Sequence, residues 1–324
     1  MKSLSAKLIV LIGIILLVVC SALAFISYYY SSNSVVNEVN KSLMQLAETG
    51  TKIVTAEVKA QINALEVLAK DRTIQNPDIP LDEKLLLLRE EAERAGHITM
   101  GIADPGGLLT TCDKNYYILS MYPFFDDLLQ GTPVVSDPMM DKGYMGLIMM
   151  FAVPIYHEGQ VSGILVAIRS GDFLSTLMEQ LAFGESGTAF MINSEGTAIA
   201  NNDLSMVKYG DNVIENAEND PEQAEFAELQ RKMAAGETGV GSYTYQGDHK
   251  YLGYAPVEGT SWSLGVTALE EEIMAGVKQI QLVILTASVV ILGVGVIFVV
   301  LLSRRMIRPL KDAVVKVQEV AQGN

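Results

Sequence analysis

The side chains best suited to recognition chemistry lie between Tyr116 and Met150. Tyr117, Tyr122, Phe124, Phe125 and Tyr144 alternate there with Met121, Met139, Met140, Met145, Met149 and Met150. Apolar walls with a few fixed polar groups suit a small-molecule pocket, and methionine makes such walls adaptable. The carboxylates of Asp137 and Asp141 lie in the same stretch. Carboxylates beside aromatic ring faces can hold a cation. The expected binding residues are therefore Tyr117, Tyr122, Phe124, Phe125, Met139, Asp141 and Tyr144. The same residues would serve equally well as the core and sheet edge of a domain.

No pattern for catalysis accompanies them. His97, His157 and His249 are far apart and have no metal-ligand spacing. The chain has no glycine-rich phosphate loop, no nucleophile elbow and no kinase signature. Asp126 and Asp127 are adjacent, so they face different ways and read as a solvated surface. The expectation is a binding protein, not an enzyme, with no cofactor and no metal.

The elements that must position these residues start from hydropathy. Of 324 residues, 49% are hydrophobic, and the mean hydropathy is +0.27. Two uncharged runs account for this, Leu8 to Tyr28 and Leu282 to Leu302. Each has about 20 residues, enough to cross a bilayer as a helix. Lys2 and Lys7 precede the first run, and Arg304, Arg305, Arg308 and Lys311 follow the second. Both ends read as cytoplasmic under the positive-inside rule, and the middle as external. Setting the two ends aside leaves 16 basic against 36 acidic residues, a net charge near −20 for the middle. Such a surface repels nucleic acid.

Ala22-Leu23-Ala24 resembles a signal-peptide cleavage site, but the apolar run continues to Tyr30, so an uncleaved anchor is expected. Cys20 lies in the first run and Cys112 in the middle, which leaves no disulfide within the external part.

Beyond the first run, Val36, Val39, Leu43, Leu46, Ile53, Ala56, Ala60, Leu65 and Leu68 recur at near-helical spacing. They predict a long helix over Ser32 to Ala69, whose stripe packs on its own domain or pairs with a second copy. Asn76-Pro77-Asp78-Ile79-Pro80 breaks it, and Leu81 to Ala95 reads as an amphipathic helix. Short β runs follow from Ile98. Thr99–Asp113 (TMGIADPGGLLTTCD) aligns without a gap on Ala189–Asp203 (AFMINSEGTAIANND), with Gly106 matching Gly196 at a turn. Phe151–Ile168 aligns in the same way on Tyr251–Ala268, with Glu158-Gly159 matching Glu258-Gly259. The chain therefore reads as two successive modules, about 98–170 and 187–269. A short helix over Asp172 to Phe183 joins them, and Pro221 to Ala235 is a helical insertion in the second. Strands interrupted by helices predict an α+β fold in each module.

The hairpin AVPIYHEGQVSGILVAI, the following GDFLSTL and the segment GESGTAFMINSEGTAIAN resemble the double Cache sensor family. Met306 to Asn324 (MIRPLKDAVVKVQEVAQGN) resembles the first helix of a HAMP domain. Leu310, Val314, Val317 and Ala321 step as a coiled-coil seam does. The resemblance implies two tandem PAS-like (Cache) modules at 31–278, flanked by transmembrane helices at 8–30 and 279–303. Residues 1–7 would be cytoplasmic and 304–324 would begin HAMP. It further implies a homodimeric receptor in the plasma membrane that takes a small ligand in its distal module. Signalling partners in the cytoplasm would be reached through HAMP, as in methyl-accepting chemotaxis receptors. A histidine kinase or diguanylate cyclase sensor stays open as the alternative, as does a stand-alone membrane protein. Amino-acid-binding members carry Arg-Pro-Trp-Tyr, then Tyr-x-Asp, then a final Asp. At those places this chain has Tyr122-Pro123-Phe124-Phe125, Met139-Met140-Asp141 and Ile168. Of the family's polar set only Asp141 remains, which implies a ligand other than an α-amino acid held in that mode. Arg169 follows Ile168 and alternation turns it to the opposite face.

Overall fold

The computed structural model describes residues 4–302. The HAMP-like segment Met306 to Asn324 and the basic residues that follow the second apolar run lie outside the described residues. The described chain divides into two compact units. One combines the helical segment through Val39 with the segment from Glu271 onward. The other runs from Asn40 to Glu270.

Helix α1, Leu4–Ala69, is continuous. It contains the expected helix over Ser32 to Ala69. A short α2 (Arg72–Gln75) follows, N-capped by Asp71, whose carboxylate accepts from the Thr73 N–H at 2.7 Å. Helix α3 covers Leu81–Ala95 and stops at Gly96, which adopts the left-handed conformation that favours glycine.

The first sheet is built from β1 (Thr99–Ala103), β2 (Leu108–Thr111), β3 (Tyr116–Ile118), β4 (Val134–Val135), β5 (Met139–Asp141), β6 (Gly146–His157) and β7 (Gln160–Ser170). All the pairings are antiparallel, in the order β3-β2-β1-β7-β6-β4, with β5 also on β6. Helix α4 (Phe125–Leu129) lies between β3 and β4 in the chain. The strands β6 and β7 form a hairpin whose turn, Glu158-Gly159, has positive φ at both residues. Ile164, Val166 and Ile168 of β7, with Ile148, Met150 and Ala152 of β6, are buried in one core cluster on one face of this sheet.

Helix α5 (Phe173–Met178) leads to the second module. Its sheet is β8 (Ala189–Ile192), β9 (Ala198–Ala200), β10 (Gly239–Tyr245), β11 (Asp248–Pro256) and β12 (Ser263–Leu269), ordered β10-β11-β12-β8-β9. Helices α6 (Leu204–Lys208), α7 (Val213–Asn216) and α8 (Ala224–Ala234) lie between β9 and β10 in the chain. Phe226, Ala227, Leu229 and Met233 of α8 bury against Phe190, Ile192, Leu252 and Tyr254 of the sheet. Helix α9, Glu270–Leu302, begins at the residue after β12. Both α1 and α9 contain a stretch long and apolar enough to cross a membrane.

The repeat exists, but one residue out of the register read from the sequence along β1/β8 and β7/β12, and two residues out along β6/β11, where Met150 opposite Ile168 matches Leu252 opposite Thr267. The Asp104 N–H donates to the Leu108 carbonyl, and the Gly107 N–H to the Asp104 carbonyl. In the second module the Asn193 N–H donates to Thr197 and the Gly196 N–H to Asn193. Gly107 (φ 89°) and Gly196 (φ 86°) hold the same place, so Gly106 is not the match. Thr99 pairs across the sheet with Ile168, as Thr188 lies opposite Thr267. Side chains alternate along a strand, so the one-residue shift decides which residues share a face.

Candidate functional site

The first module brings the expected binding residues together. Phe125 is buried in the core cluster, and Tyr117, Tyr122, Phe124, Met139 and Tyr144 pack partly buried against it. Strand β5 alternates, so Met139 and Asp141 turn inward while Met140 is exposed. The rings of Tyr122 and Phe124 stack with centroids 5.3 Å apart. Ile168, which the resemblance puts at the family's final Asp, is fully buried in the cluster, which leaves this position apolar.

Asp141 is the polar centre. Its Oδ1 accepts from the Tyr144 N–H at 2.8 Å and from the Tyr117 hydroxyl at 3.3 Å. The Tyr144 hydroxyl donates to Asp113 Oδ2 at 2.5 Å. Asp113 also accepts from the Thr111 hydroxyl at 2.5 Å, the Thr99 hydroxyl at 3.0 Å and the Asn115 amide at 3.1 Å. Tyr144 thus links the two carboxylates, by its backbone N–H to Asp141 and its hydroxyl to Asp113, while Tyr117 adds a second donor to Asp141. Asp113 was marked in the sequence only as the end of a repeat unit. Its bond to Tyr144 crosses 31 residues, a separation that spacing cannot reveal.

The environment fixes the charges. Burial opposes ionisation of Asp113, but the hydrogen bonds from Thr111, Tyr144 and Thr99 outweigh it and hold the carboxyl below its ordinary range. Burial raises the Tyr117 phenol, and the neighbouring Tyr144 and Asp141 raise it further. Burial and Asp141 do the same to Tyr122, and burial with the bond to Asp113 raises Tyr144. The phenols stay protonated at neutral pH as donors and ring faces. The arrangement is an acidic centre ringed by neutral aromatic faces.

Other residues serve elsewhere. Asp137 meets the second module: its Oδ1 accepts from Trp262 Nε1 at 2.6 Å and its Oδ2 from Asn193 Nδ2 at 2.8 Å. This overturns the expectation that it would join Asp141 at a cation. The Arg169 guanidinium lies 4.4 Å from the Phe173 ring centroid, away from the cluster that holds Ile168. Arg89 donates to the Cys112 carbonyl. A cavity of about 510 Å³ also opens beside Tyr144 and Met140, bordered by Leu204, Lys208 and Tyr209. Among the described residues, no group of three or more His, Cys, Asp or Glu is arranged for a metal ion.

Comparison with known proteins adds the family. The family model for the Cache domain, of the double Cache type, matches residues 31–277. The methyl-accepting chemotaxis protein PscA of Pseudomonas syringae pv. tomato is 21% identical over 327 residues, covering 98% of this chain and 49% of that protein. McpA of Bacillus subtilis, also a methyl-accepting chemotaxis protein, is 20% identical over 345 residues, covering 100% and 47%. The chain spans about half the length of these relatives. Among solved structures, the ligand-binding domain of the Pseudomonas fluorescens chemoreceptor CtaA with L-isoleucine has a TM-score of 0.60 at 15% identity. It covers 76% of this chain and 98% of that one. The ligand-binding domain of the Pseudomonas aeruginosa amino acid chemoreceptor PctB with L-Arg has a TM-score of 0.57 at 17% identity, covering 73% and 97%. These likenesses establish a shared fold.

Proposed function

The chain belongs to the Cache domain family, and from that premise we propose that it is the sensing portion of a transmembrane chemotaxis receptor. The observation that carries this reading is the order of parts: a Cache domain bracketed by α1 and α9, each with a membrane-length apolar stretch. In this reading residues 8–30 and 279–303 span the membrane and 31–278 face outward. Residues 304–324 then begin a HAMP linker toward cytoplasmic partners, and the receptor works as a homodimer.

The ligand of the first module is an organic cation or amine. Relatives of this fold were solved with L-isoleucine and L-Arg. Here Tyr122 stands where amino-acid-binding members have the arginine for the ligand carboxylate, and Asp141 keeps its carboxylate beside Tyr117, Tyr122 and Tyr144. Such a site favours positive charge without a carboxylate clamp.

The path outward from the site supports signalling. Strand β5 begins two residues after Asp137, which is bonded to Trp262 and Asn193 of the second module. Strand β12 runs directly into α9. A ligand that shifts β5 acts on both, by no more than its differential affinity for the two states.

Isothermal titration of the full chain in lipid nanodiscs with small amines and with α-amino acids tests the reading. The amines bind wild type, and Asp141→Asn weakens them at least about tenfold. Tight binding of α-amino acids that is unchanged in Asp141→Asn would overturn it.

A further inference from the structure

The second module carries a cavity at the place corresponding to the first module's binding face. In the corrected register Thr99, Gly101, Ala103 and Leu109 correspond to Thr188, Phe190, Ile192 and Ala198. Ala103 and Leu109 belong to the core beneath the first site. Thr188, Phe190, Ile192 and Ala198 line a separate cavity of about 140 Å³. An apolar cavity of about 150 Å³ holds benzene in another protein, so this one has room for a five- or six-membered ring.

Thr188, Asn201, Thr267 and Gln230 break the apolar character of the wall, and Gln230 is the most telling of them. Helix α8 presents Phe226, Ala227 and Met233 to the sheet, and Gln230 lies on the same buried face, four residues after Phe226. Gln230 is 3% exposed and lines the cavity. Its Oε1 is enclosed and, among the described residues, receives no donor. A buried acceptor without a donor is costly, and the last torsion of a glutamine side chain is soft. The amide therefore turns readily onto a donor within the cavity. Phe226 and Tyr243, also in the wall, stack with centroids 4.2 Å apart and offer flat apolar surface. At the rim Lys250 and Asp211 bring opposite charges, so the site as a whole favours neither sign.

We propose that the second module holds its own small-molecule site, which takes a neutral, ring-sized compound carrying one N–H or O–H donor for Gln230. It differs in place and chemistry from the cation site around Asp141, and it stands whether or not that site is read correctly.

Pyrrole and furan test it, because they share a shape and differ in the N–H. Each is titrated calorimetrically into the full chain in nanodiscs, with empty nanodiscs subtracting partition into lipid. Wild type binds pyrrole at least about tenfold more tightly than furan. Gln230→Leu brings the two within about twofold while Asp141→Asn leaves the preference intact. Gln230→Met, which keeps the side-chain length, serves where Gln230→Leu does not fold. Equal binding of the rings by wild type, or no binding, overturns the proposal. So does a preference that survives loss of Gln230, or one that vanishes with Asp141→Asn.

Discussion

Trp262 Nε1 donates to Asp137 Oδ1 at 2.6 Å, joining two modules across 125 residues of sequence. The indole is 2% exposed, and Asn193 holds the other carboxylate oxygen at 2.8 Å. A short bond from a buried donor to a charged acceptor is among the stronger kinds.

Trp262→Phe keeps the aromatic bulk and removes the N–H. It should cost about 1–3 kcal/mol, the range for a charge-assisted hydrogen bond with a buried partner. Urea unfolding of the variant against wild type measures the loss, and an unchanged midpoint would show that the bond contributes nothing.

Gly253 of β11 lies directly against α1. A Cβ there would sit 2.4 Å from the Leu43 carbonyl carbon and 2.6 Å from its oxygen. Backbone cannot yield as a flexible side chain does, so Gly253→Ala should destabilise by about 1–3 kcal/mol or more. Thermal unfolding reports it. Gly146→Ala is the control for backbone freedom alone, since its φ is not positive and a Cβ there would meet only the Tyr144 carbonyl oxygen at 3.7 Å.

His97 gives a pH signature. Burial, and then the positive charge of Arg169, lower its pKa to about 4. The unfolded chain takes up that proton near pH 6.5, so the unfolded state binds more protons between those values. Stability from this group is therefore complete above about pH 6.5 and declines as pH falls toward about 4. Melting temperatures across this window should fall in wild type and fall less in His97→Gln.

Asp113 responds lower on the scale. Its carboxyl is held below the ordinary aspartate value, so its contribution is present above about pH 4 and is lost as pH drops through the folded-state value. Tyr144→Phe removes one of the bonds responsible. The variant should lose less stability than wild type on acidification below about pH 4, and parallel acid melts would contradict the assignment.

The sequence made the elements legible where a local pattern encodes them. The α3 helix over Leu81–Ala95 follows apolar spacing, a proline before it and Gly96 after it. The β6–β7 hairpin follows two apolar runs around Glu158-Gly159. The clustering of Tyr117, Tyr122, Phe124, Phe125, Met139, Asp141 and Tyr144 in one module was legible too, because they lie within 28 residues. The repeat register was not. Gly106 and Gly107 are adjacent, and only backbone conformation reveals which of them matches Gly196. Long-range pairings were equally hidden: Asp137 resembles Asp141 in type and surroundings, yet its partners are Trp262 and Asn193. Gln230 reads as one polar residue on an amphipathic helix until the cavity beside it is seen.

The account rests on the Cache domain lying outside the cell, and accessibility to a membrane-impermeant maleimide tests that most directly. The chain has only Cys20 and the buried Cys112, so a cysteine introduced at exposed Glu218 provides a distinct labelling site. Glu218→Cys in intact cells should label strongly above the wild-type background. Labelling that appears only after the cells are permeabilised would contradict the account.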